Sequence, residues 1–414
     1  KIFITFGEHD MAENIIHLVL ARLPDAPEGT KGISLFIVPK FVVNADGTLG
    51  ERNDMVCAGI EHKMGINGNP TCTMNLGEKN GAVGYLVGEA NQGLKYMFIM
   101  MNAARFSVGV QGLGLADRAY QSALAYAKER VQFRDVASRS PEPKRIIEHP
   151  DVRRMLMWMK SQNEAMRALS YVTAASLDFS HKHPDEKVRK EHKAFVDFMI
   201  PIVKGWCTET AIDLCSNAVQ VFGGIGYVEE TGIAQQYRDV RITTIYEGTT
   251  GIQALDLVGR KLAADMGATA TRIIGQMTKD AQALSSSDDE TLKAIGDQLG
   301  KSIAALAEAS QWIGMSAMGD LRKAVACSVP YLKLWGIIAG GWQMARAAQV
   351  SANKLAGGDN DEFYKAKIAT AKFYASHVLT QSAYLKRQIV DGSGDVMTLT
   401  EEQFDLDRKA AAVA

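Results

Sequence analysis

QVFGGIGYVEETGIAQQYRDVRITTIYEGTTGIQ, residues 220 to 253, is the stretch that decides the architecture of this chain. A glycine cluster at residues 223–226 ends one helical pattern. An amphipathic run follows, with apolar residues at 233, 237 and 240 spaced like one face of a helix. An apolar run over residues 242–246 then leads into Glu247 and a loop of glycine and threonine.

Glu247 is a candidate general base because it lies between an apolar run and a flexible loop. An apolar wall disfavours the charged form of a carboxyl and makes it a better proton acceptor. The glycines and threonines that follow offer N–H and hydroxyl donors to a polar ligand. A single Glu before Gly is also a common solvated loop residue, so spacing alone leaves both alternatives open.

Length and composition limit the classes of protein. A chain of 414 residues predicts several domains, and 47% hydrophobic with 22% charged residues is ordinary globular composition. A net charge of −1 argues against nucleic-acid binding as a main role, because no bulk positive field attracts phosphate. The sequence contains no apolar run of the roughly 20 residues that a membrane span needs.

Cysteine and histidine usage predicts no metal site. The five cysteines, at 57, 72, 207, 215 and 327, include no close pair with metal-ligand or redox spacing. Such a scattered set indicates reduced thiols in a cytosol-like compartment. His181, His183 and His192 lie in a charged stretch typical of a solvated turn and helix face.

Residues 1–90 have strand character. The segment KIFIT at residues 1–5 predicts a strand, as do the apolar runs at 15–20 and 33–38, with turns between them. We expect a small sandwich or partial barrel. A chain that begins inside a strand also predicts that an N-terminal portion is missing, so a targeting peptide cannot be assessed.

Helical patterns replace strands from residue 91. Three long helices are predicted over residues 94–129, 150–179 and 193–221, and a fourth over 251–266. The segment GVQGLG at 109–114 resembles a dinucleotide fingerprint but lies inside a helical pattern, which favours close helix packing instead. Three or four further helices are predicted over 267–414, with breaks near 285–290 and 357–359 and a polar, then Ala-rich tail after residue 392 that we expect to be poorly ordered.

Three motifs in the opening stretch resemble the acyl-CoA dehydrogenase family. They are Q-x-x-G-G-x-G-[FY] at 220–227, R-D-x-R at 238–241 and I-Y-E-G-T at 245–249, in the family's order and spacing. KIFIT at residues 1–5 and E-R-x-x-F at 129–133 resemble two further family motifs. The resemblance implies a multidomain α+β fold: a β-rich middle domain truncated at its start (1–90), an all-α four-helix-bundle domain that binds FAD and acyl-CoA (91–266), and a C-terminal helical extension (267–414).

The resemblance also implies a reaction: FAD-dependent α,β-dehydrogenation of an acyl-CoA thioester, in which Glu247 removes the α-proton and hydride passes to flavin N5. Three segments, KIFITFGEHD, EHKMGINGNPT and IEHPDVRRMLM, are similar in sequence to the 3-methylmercaptopropionyl-CoA dehydrogenase branch. This resemblance implies 3-(methylthio)propanoyl-CoA as substrate and a place in DMSP catabolism. A broad-range fatty acyl-CoA dehydrogenase of β-oxidation and an acyl-CoA oxidase remain alternatives.

Site residues follow from family positions. Glu247 is the expected base, since Ala104 occupies the position where one branch of the family carries its base. Substrate contacts are expected from Arg105, Tyr246 and Gly248. FAD contacts are expected from Phe3, Ile4, Thr5, Arg130, Gln132, Phe133, Gln220, Gly223, Gly224, Thr249 and Gly251, where Gly251 replaces a side chain common in the family.

The expected partners are an acyl-CoA substrate, an electron-transfer flavoprotein as acceptor and a second copy of the chain, because the family shares its FAD sites between subunits. The C-terminal extension is expected to cover the surface that shorter relatives use to form tetramers. A bacterial cytoplasmic location is expected, with the mitochondrial matrix left open.

Overall fold

The computed structural model describes residues 1–137 and 141–405, which divide at residue 104 into two compact units. Each unit has its own hydrophobic core. The predicted boundary between residues 266 and 267 lies inside the second unit, so the division of the helical part into two domains stays a prediction.

The first unit is a small antiparallel β module. Its strands are Ile2–Phe3 (β1), Ile16–Arg22 (β2), Ile33–Pro39 (β3), Phe41–Val43 (β4), Leu49–Arg52 (β5), Met55–Ile60 (β6), Cys72–Leu76 (β7) and Tyr85–Leu86 (β8). They form sheets ordered β1-β7-β6, β2-β3-β8 and β4-β5. The buried core takes Val19 and Val38 from one three-stranded sheet and Met55, Cys72 and Met74 from the other. Two sheets that share a core in this way confirm the expected β-rich module.

The first strand is shorter than predicted. The segment KIFIT predicted a strand over residues 1–5, but β1 ends at Phe3 and the chain turns, with Phe6 at φ 48°. The N–H of Phe6 donates to the Pro70 carbonyl at 3.0 Å instead of extending the ladder. A run of five residues is too short to show where within it the strand ends.

The second unit is helical. Its α-helices, the first of which begins in the preceding unit, are Gly93–Glu129 (α1), Pro150–Lys182 (α2), Glu186–Phe222 (α3), Ile233–Val240 (α4), Thr250–Asp256 (α5), Ala268–Ser285 (α6), Glu290–Gly319 (α7), Leu321–Ala326 (α8), Ser328–Ala356 (α9), Glu362–Phe373 (α10) and Gln381–Val390 (α11). The strands Val131–Arg134 (β9) and Pro143–Arg145 (β10) pair antiparallel after α1. No helix among the described residues is both long and apolar enough to cross a membrane.

The three long predicted helices are confirmed, with one shifted start. α3 begins at Glu186 rather than near residue 193, because the Asp185 side chain accepts a hydrogen bond from the Lys187 N–H and caps the helix earlier. The predicted fourth helix is shorter than expected: α5 ends at Asp256 and a π-helix, Leu257–Leu262, continues it. An apolar pattern does not distinguish an α-turn from a π-turn.

Glycines in α1 permit close helix packing, as expected. A Cβ at Gly109 would lie 2.8 Å from Val203 Cγ1, and one at Gly112 would lie 3.2 Å from Thr208 Cα, both on α3. A larger residue at either position would push α1 away from α3.

The C-terminal part has more helices than predicted. Six α-helices, α6 to α11, occupy its described residues instead of three or four. The break before α8 falls at Asp320, and the break before α9 falls at Cys327, with Pro330 in the first turn of α9. The predicted break near residues 285–290 is confirmed, and α7 begins there because the Asp289 side chain accepts from the N–H groups of Thr291 and Leu292. Residues 406–414, the end of the tail predicted to be poorly ordered, lie outside the described residues.

Candidate active site

The candidate base lies on a left-handed turn. Glu247 follows the 3-10 helix Arg241–Thr244, is half-buried and has φ 58°, and Gly248 follows with φ 90°. An L-residue in the left-handed region costs about 1–2 kcal/mol. Neighbouring contacts must therefore hold this turn in place.

Three side-chain donors from three helices hold the turn by its carbonyl groups. Lys204 Nζ on α3 donates to the Gly248 carbonyl at 2.7 Å. Gln253 Nε2 on α5 donates to the carbonyls of Glu247 and Gly248, at 3.2 and 3.1 Å. Arg105 Nε on α1 donates to the Glu247 carbonyl at 3.4 Å. Both carbonyls point toward protein donors, so the orientation of this peptide segment is set from outside the turn.

Arg105 also forms a buried ion pair beneath the turn. Its Nη1 lies 3.0 Å from Asp256 Oδ2, with the two side chains 5% and 3% exposed. Asp256 Oδ1 lies 2.7 Å from Arg260 Nε. The sequence predicted a substrate contact for Arg105. The structure places Arg105 well inside α1 and shows this ion pair; its contact with substrate stays a prediction.

Lys204 is the least expected member of this group. The residue is fully buried, and no carboxylate in the described part of the chain lies within ion-pair distance of its ammonium. The pKa of Lys204 is lowered to about 8, chiefly by burial and also by the charge of Arg105, while Glu209 and Glu247 act in the opposite direction. A buried cation without a bonded carboxylate is costly, which points to a role beyond packing.

The turn leaves backbone donors available. Among the described residues, the N–H groups of Glu247, Gly248 and Thr249 make no hydrogen bond. Beside it, the Tyr246 hydroxyl donates to Gln111 Oε1, and burial raises the pKa of that phenol. Thr249 caps α5 by accepting from the Ile252 N–H at 3.3 Å. A half-buried carboxylate next to a free N–H can take a proton from a carbon while the N–H polarises an adjacent carbonyl oxygen.

Six of the predicted FAD-contacting residues lie at one end of α1 and α3. Tyr126, near the end of α1, stacks on Phe222, the last residue of α3, with ring centroids 4.4 Å apart. The stack brings together the segments that follow the two helices. Arg130, Gln132, Phe133, Gln220, Gly223 and Gly224 are all exposed there.

That end has the features of an anion site that is open to a partner. Gly223 has φ 67°, and a Cβ on Gly223 or Gly224 would meet no atom within 4 Å, so the backbone is open to a ligand. Large apolar side chains are exposed beside it, with Phe133 at 68% and Tyr227 at 89%. Gly251, in the first turn of α5, has room for a Cβ, which would lie 3.7 Å from Thr249 Oγ1.

Phe3, Ile4 and Thr5 belong to the β unit. Phe3 packs on the core of that unit, with its ring centroid 4.8 Å from that of His17 in an edge arrangement. Ile4 and Thr5 are exposed on the turn after β1. Contacts of these three residues with a flavin stay predictions.

Sequence reasoning missed Lys204, Gln253 and Asp256. A signal was present for Lys204, because it is the only charged residue in the apolar run MIPIVKGWC at 199–207. A lone lysine in such a run is either functional or solvated at a helix edge, and the sequence does not separate these cases. Gln253 and Asp256 gave no signal, since polar residues in the first turns of a helix are common.

Two family models and several known proteins match this chain. Residues 91–263 match the family model described as acyl-CoA dehydrogenase, C-terminal domain, and residues 262–400 match the model described as acetyl-CoA dehydrogenase C-terminal like. The chain is 47% identical to the 3-methylmercaptopropionyl-CoA dehydrogenase of Ruegeria pomeroyi, over 96% of this chain and 67% of that protein. It is 36% identical to the broad-specificity linear acyl-CoA dehydrogenase of Mycobacterium tuberculosis, over 98% and 68%.

A solved structure shares the fold. The acyl-CoA dehydrogenase of Bacillus anthracis complexed with FAD superposes with a TM-score of 0.69 at 20% identity, covering 93% of this chain and 64% of that one. The chain thus spans about two thirds of the length of the relatives that it matches. The chain belongs to the acyl-CoA dehydrogenase family.

Proposed function

We propose that the protein dehydrogenates an acyl-CoA thioester at Cα and Cβ, with Glu247 as the base. The observation that carries the proposal is the left-handed turn, which presents a half-buried carboxylate beside an unpaired N–H while side chains hold both of its carbonyls. Family membership supports this reaction class.

The residues of this chain have two tasks in the reaction. The Glu247 carboxylate takes the proton from Cα, and the N–H of the same residue donates to the thioester oxygen, where negative charge develops. Because an unactivated α-proton is a very weak acid in water, this polarisation must precede or accompany proton removal. FAD, when bound, supplies the acceptor for the hydride that leaves Cβ, so the products are enoyl-CoA, reduced cofactor and one proton on Glu247.

The chain's residues fit FAD at the end formed by α1 and α3. Arg130 offers an exposed guanidinium to a phosphate, and Gly223 and Gly224 offer open backbone. Gln132 and Gln220 are exposed at the same end. The FAD that the Bacillus anthracis relative holds supports the same cofactor here.

The exposed apolar groups at that end support a homodimer that shares its cofactors. Phe133 and Tyr227 have no covering residue in the described chain, and a second copy would bury them beside the cofactor. Sedimentation of the FAD-loaded protein tests this, and a fully flavinated monomer would contradict it. An electron-transfer flavoprotein as acceptor and a cytoplasmic location are further predictions.

For the substrate we propose 3-(methylthio)propanoyl-CoA, because the relative from Ruegeria pomeroyi carries that specificity in its name. A broad range of linear acyl-CoAs is the second candidate, favoured by the relative from Mycobacterium tuberculosis. Anaerobic flavin bleaching with a panel of acyl-CoAs separates them. If the flavin bleaches fastest with 3-(methylthio)propanoyl-CoA, the first candidate is supported. Equal bleaching rates across linear acyl-CoAs support the second candidate, and no bleaching with any acyl-CoA would contradict both.

Replacing the base tests the mechanism. We expect Glu247→Gln to retain FAD and to lose roughly 10²-fold or more in turnover, because the amide cannot accept the proton. Steady-state turnover with the preferred acyl-CoA measures the effect, and Glu290→Gln, an exposed glutamate at the start of α7, is the matched control. Near-normal turnover of Glu247→Gln would remove Glu247 from the mechanism.

A further inference from the structure

We propose that Lys204 is a positioning residue for the reaction: its buried ammonium holds the Gly248 carbonyl and thereby aims the carboxylate and the N–H of Glu247. The inference rests on the proposed dehydrogenase function and adds Lys204 to the residues on which the reaction depends. Lys204 touches the turn, not the reacting atoms, and acts through Glu247.

The contact restrains one of the two peptides of the turn, together with Gln253. Rotation of the peptide that joins Glu247 to Gly248 is limited by donors to the Glu247 carbonyl, and rotation of the next peptide by donors to the Gly248 carbonyl. At 2.7 Å the bond from Lys204 is the shortest of the four that reach these carbonyls. It is also charge-assisted, and such bonds are roughly twice as strong as neutral ones.

Burying the charged side chain of Lys204 lowers the stability of the folded protein. Its side chain is fully buried in α3, and burial disfavours the charged form. A methionine would fill the same space without a charge and pack as well or better. A residue that only supported the fold would gain nothing from the ammonium, whereas a residue that aims a strained turn needs it.

Protonation adds a second signature. The charged groups that face Lys204 are Arg105 from α1, Glu209 from its own helix and Glu247 from the turn, and Asp256 from α5 pairs with Arg105. Since the pKa of Lys204 is lowered to about 8, its ammonium is lost as pH rises through that value. The folded pKa lies below the unfolded one, so the cost of burying the charge is present below pH 8 and is relieved above it.

The test compares Lys204→Met with wild type and with Lys193→Met, an exposed lysine of the same helix, as full-chain FAD-loaded proteins. We expect Lys204→Met to keep its FAD and its KM, to lose kcat by roughly 10- to 100-fold, and to melt at or above the wild-type temperature. We also expect wild-type kcat to fall above pH 8, where Lys204 loses its charge, and we expect no such fall in this variant. Lys193→Met should match wild type in every measurement.

Hydrogen exchange gives a readout that needs no turnover. The peptide covering residues 242–252 should exchange faster in Lys204→Met than in wild type, because the turn has lost a donor. Unchanged exchange and unchanged kcat would overturn the inference. A variant that fails to fold, or whose melting temperature falls together with kcat, would assign Lys204 to the fold alone and also overturn it. Wild-type protein that bleaches with no acyl-CoA would instead sink the proposed function, while the exchange result would still decide whether Lys204 holds the turn.

Discussion

The backbone conformation of Gly248, next to Glu247, limits which residues can replace it. Gly248 has φ 90°, where only glycine is unstrained, and a Cβ there would lie 2.8 Å from Gln253 Nε2 and 3.3 Å from Ile252 Cγ2. The side chain of Gln253 would have to leave the two carbonyls that it bonds. A methyl group at this position would therefore disturb the turn twice, through strain and through a lost donor.

We expect Gly248→Ala to cost about 1–2 kcal/mol in stability and to lower turnover as the turn shifts. Melting temperature and kcat measure the two effects. Gly114→Ala, at a glycine of α1 with open space for a Cβ, should be neutral or slightly stabilising. A Gly248→Ala protein as stable and active as wild type would show that the turn is more tolerant than its backbone angles indicate.

The residue that does the proposed chemistry was predictable, but its supports were not. Glu247 follows from motif order, because a motif is local in sequence. The turn is held from three separate helices. Along the chain, Arg105 is 142 residues from Glu247, Lys204 is 44 residues from Gly248, and Gln253 is 6 residues from Glu247. Contacts of that kind depend on how helices cross, and no local pattern encodes a crossing.

Helix α9 lies against α3 through a face of small residues. A Cβ at Gly336 would lie 2.1 Å from Trp206 Cγ, and one at Gly340 would lie 2.6 Å from Trp206 Cη2. The indole of Trp206 is 1% exposed, so it cannot move outward to make room. The extension is thus fitted to the helix that carries Lys204, next to that residue.

We expect Gly336→Ala to destabilise the protein by about 1–3 kcal/mol, because overpacking forces the two helices apart. A lowered melting temperature is the measurement. Gly300→Ala in α7, where a Cβ would meet nothing within 4 Å, is the control and should not melt lower. Equal melting temperatures for both variants would contradict a tight contact between α9 and Trp206.

At the scale of elements, prediction succeeded where patterns were long. α1, α2 and α3 have many turns of apolar repeat, and their ends were placed within a few residues except where the Asp185 cap moved one. Prediction failed where an element was short. β1 ends earlier than predicted, and α8, a helix of six residues between Asp320 and Cys327, was not predicted as a separate element. Short elements depend on tertiary contacts rather than on their own periodicity.

A buried charge cluster ties α2 to α10 across the helical unit. Glu164, with its side chain 7% exposed, lies 2.7 Å from Lys160 Nζ and 3.1 Å from Lys367 Nζ. Thr370 Oγ1 donates to the same carboxylate at 2.7 Å. Burial acts to raise the pKa of Glu164, but these donors and charges outweigh it and hold the pKa below its ordinary value.

The cluster makes the molecule sensitive to acid. A carboxyl with a lowered folded pKa contributes stability above its unfolded pKa, about 4.5, and loses that contribution as pH falls through the folded value. We expect Glu164→Gln to cost about 1–3 kcal/mol at pH 7, and the gap in melting temperature from wild type to narrow below pH 4.5. Glu308→Gln, in an exposed pair with Lys386, should change little at either pH. A gap that stays constant down to acid pH would show that the charge of Glu164 is not what stabilises the junction.

The length of α3 has a consequence for how variants of this protein behave. From Lys204, at the strained turn, to Phe222, beside the open glycines, a single helix runs about 27 Å without interruption. A rod of that kind transmits tilt along its whole length, so a displacement at either extremity is felt at the other. Substitutions that tilt this helix, unlike the shape-preserving Lys204→Met, will therefore disturb ligand retention and proton abstraction together. The bound-flavin content of each such variant should be measured alongside its turnover.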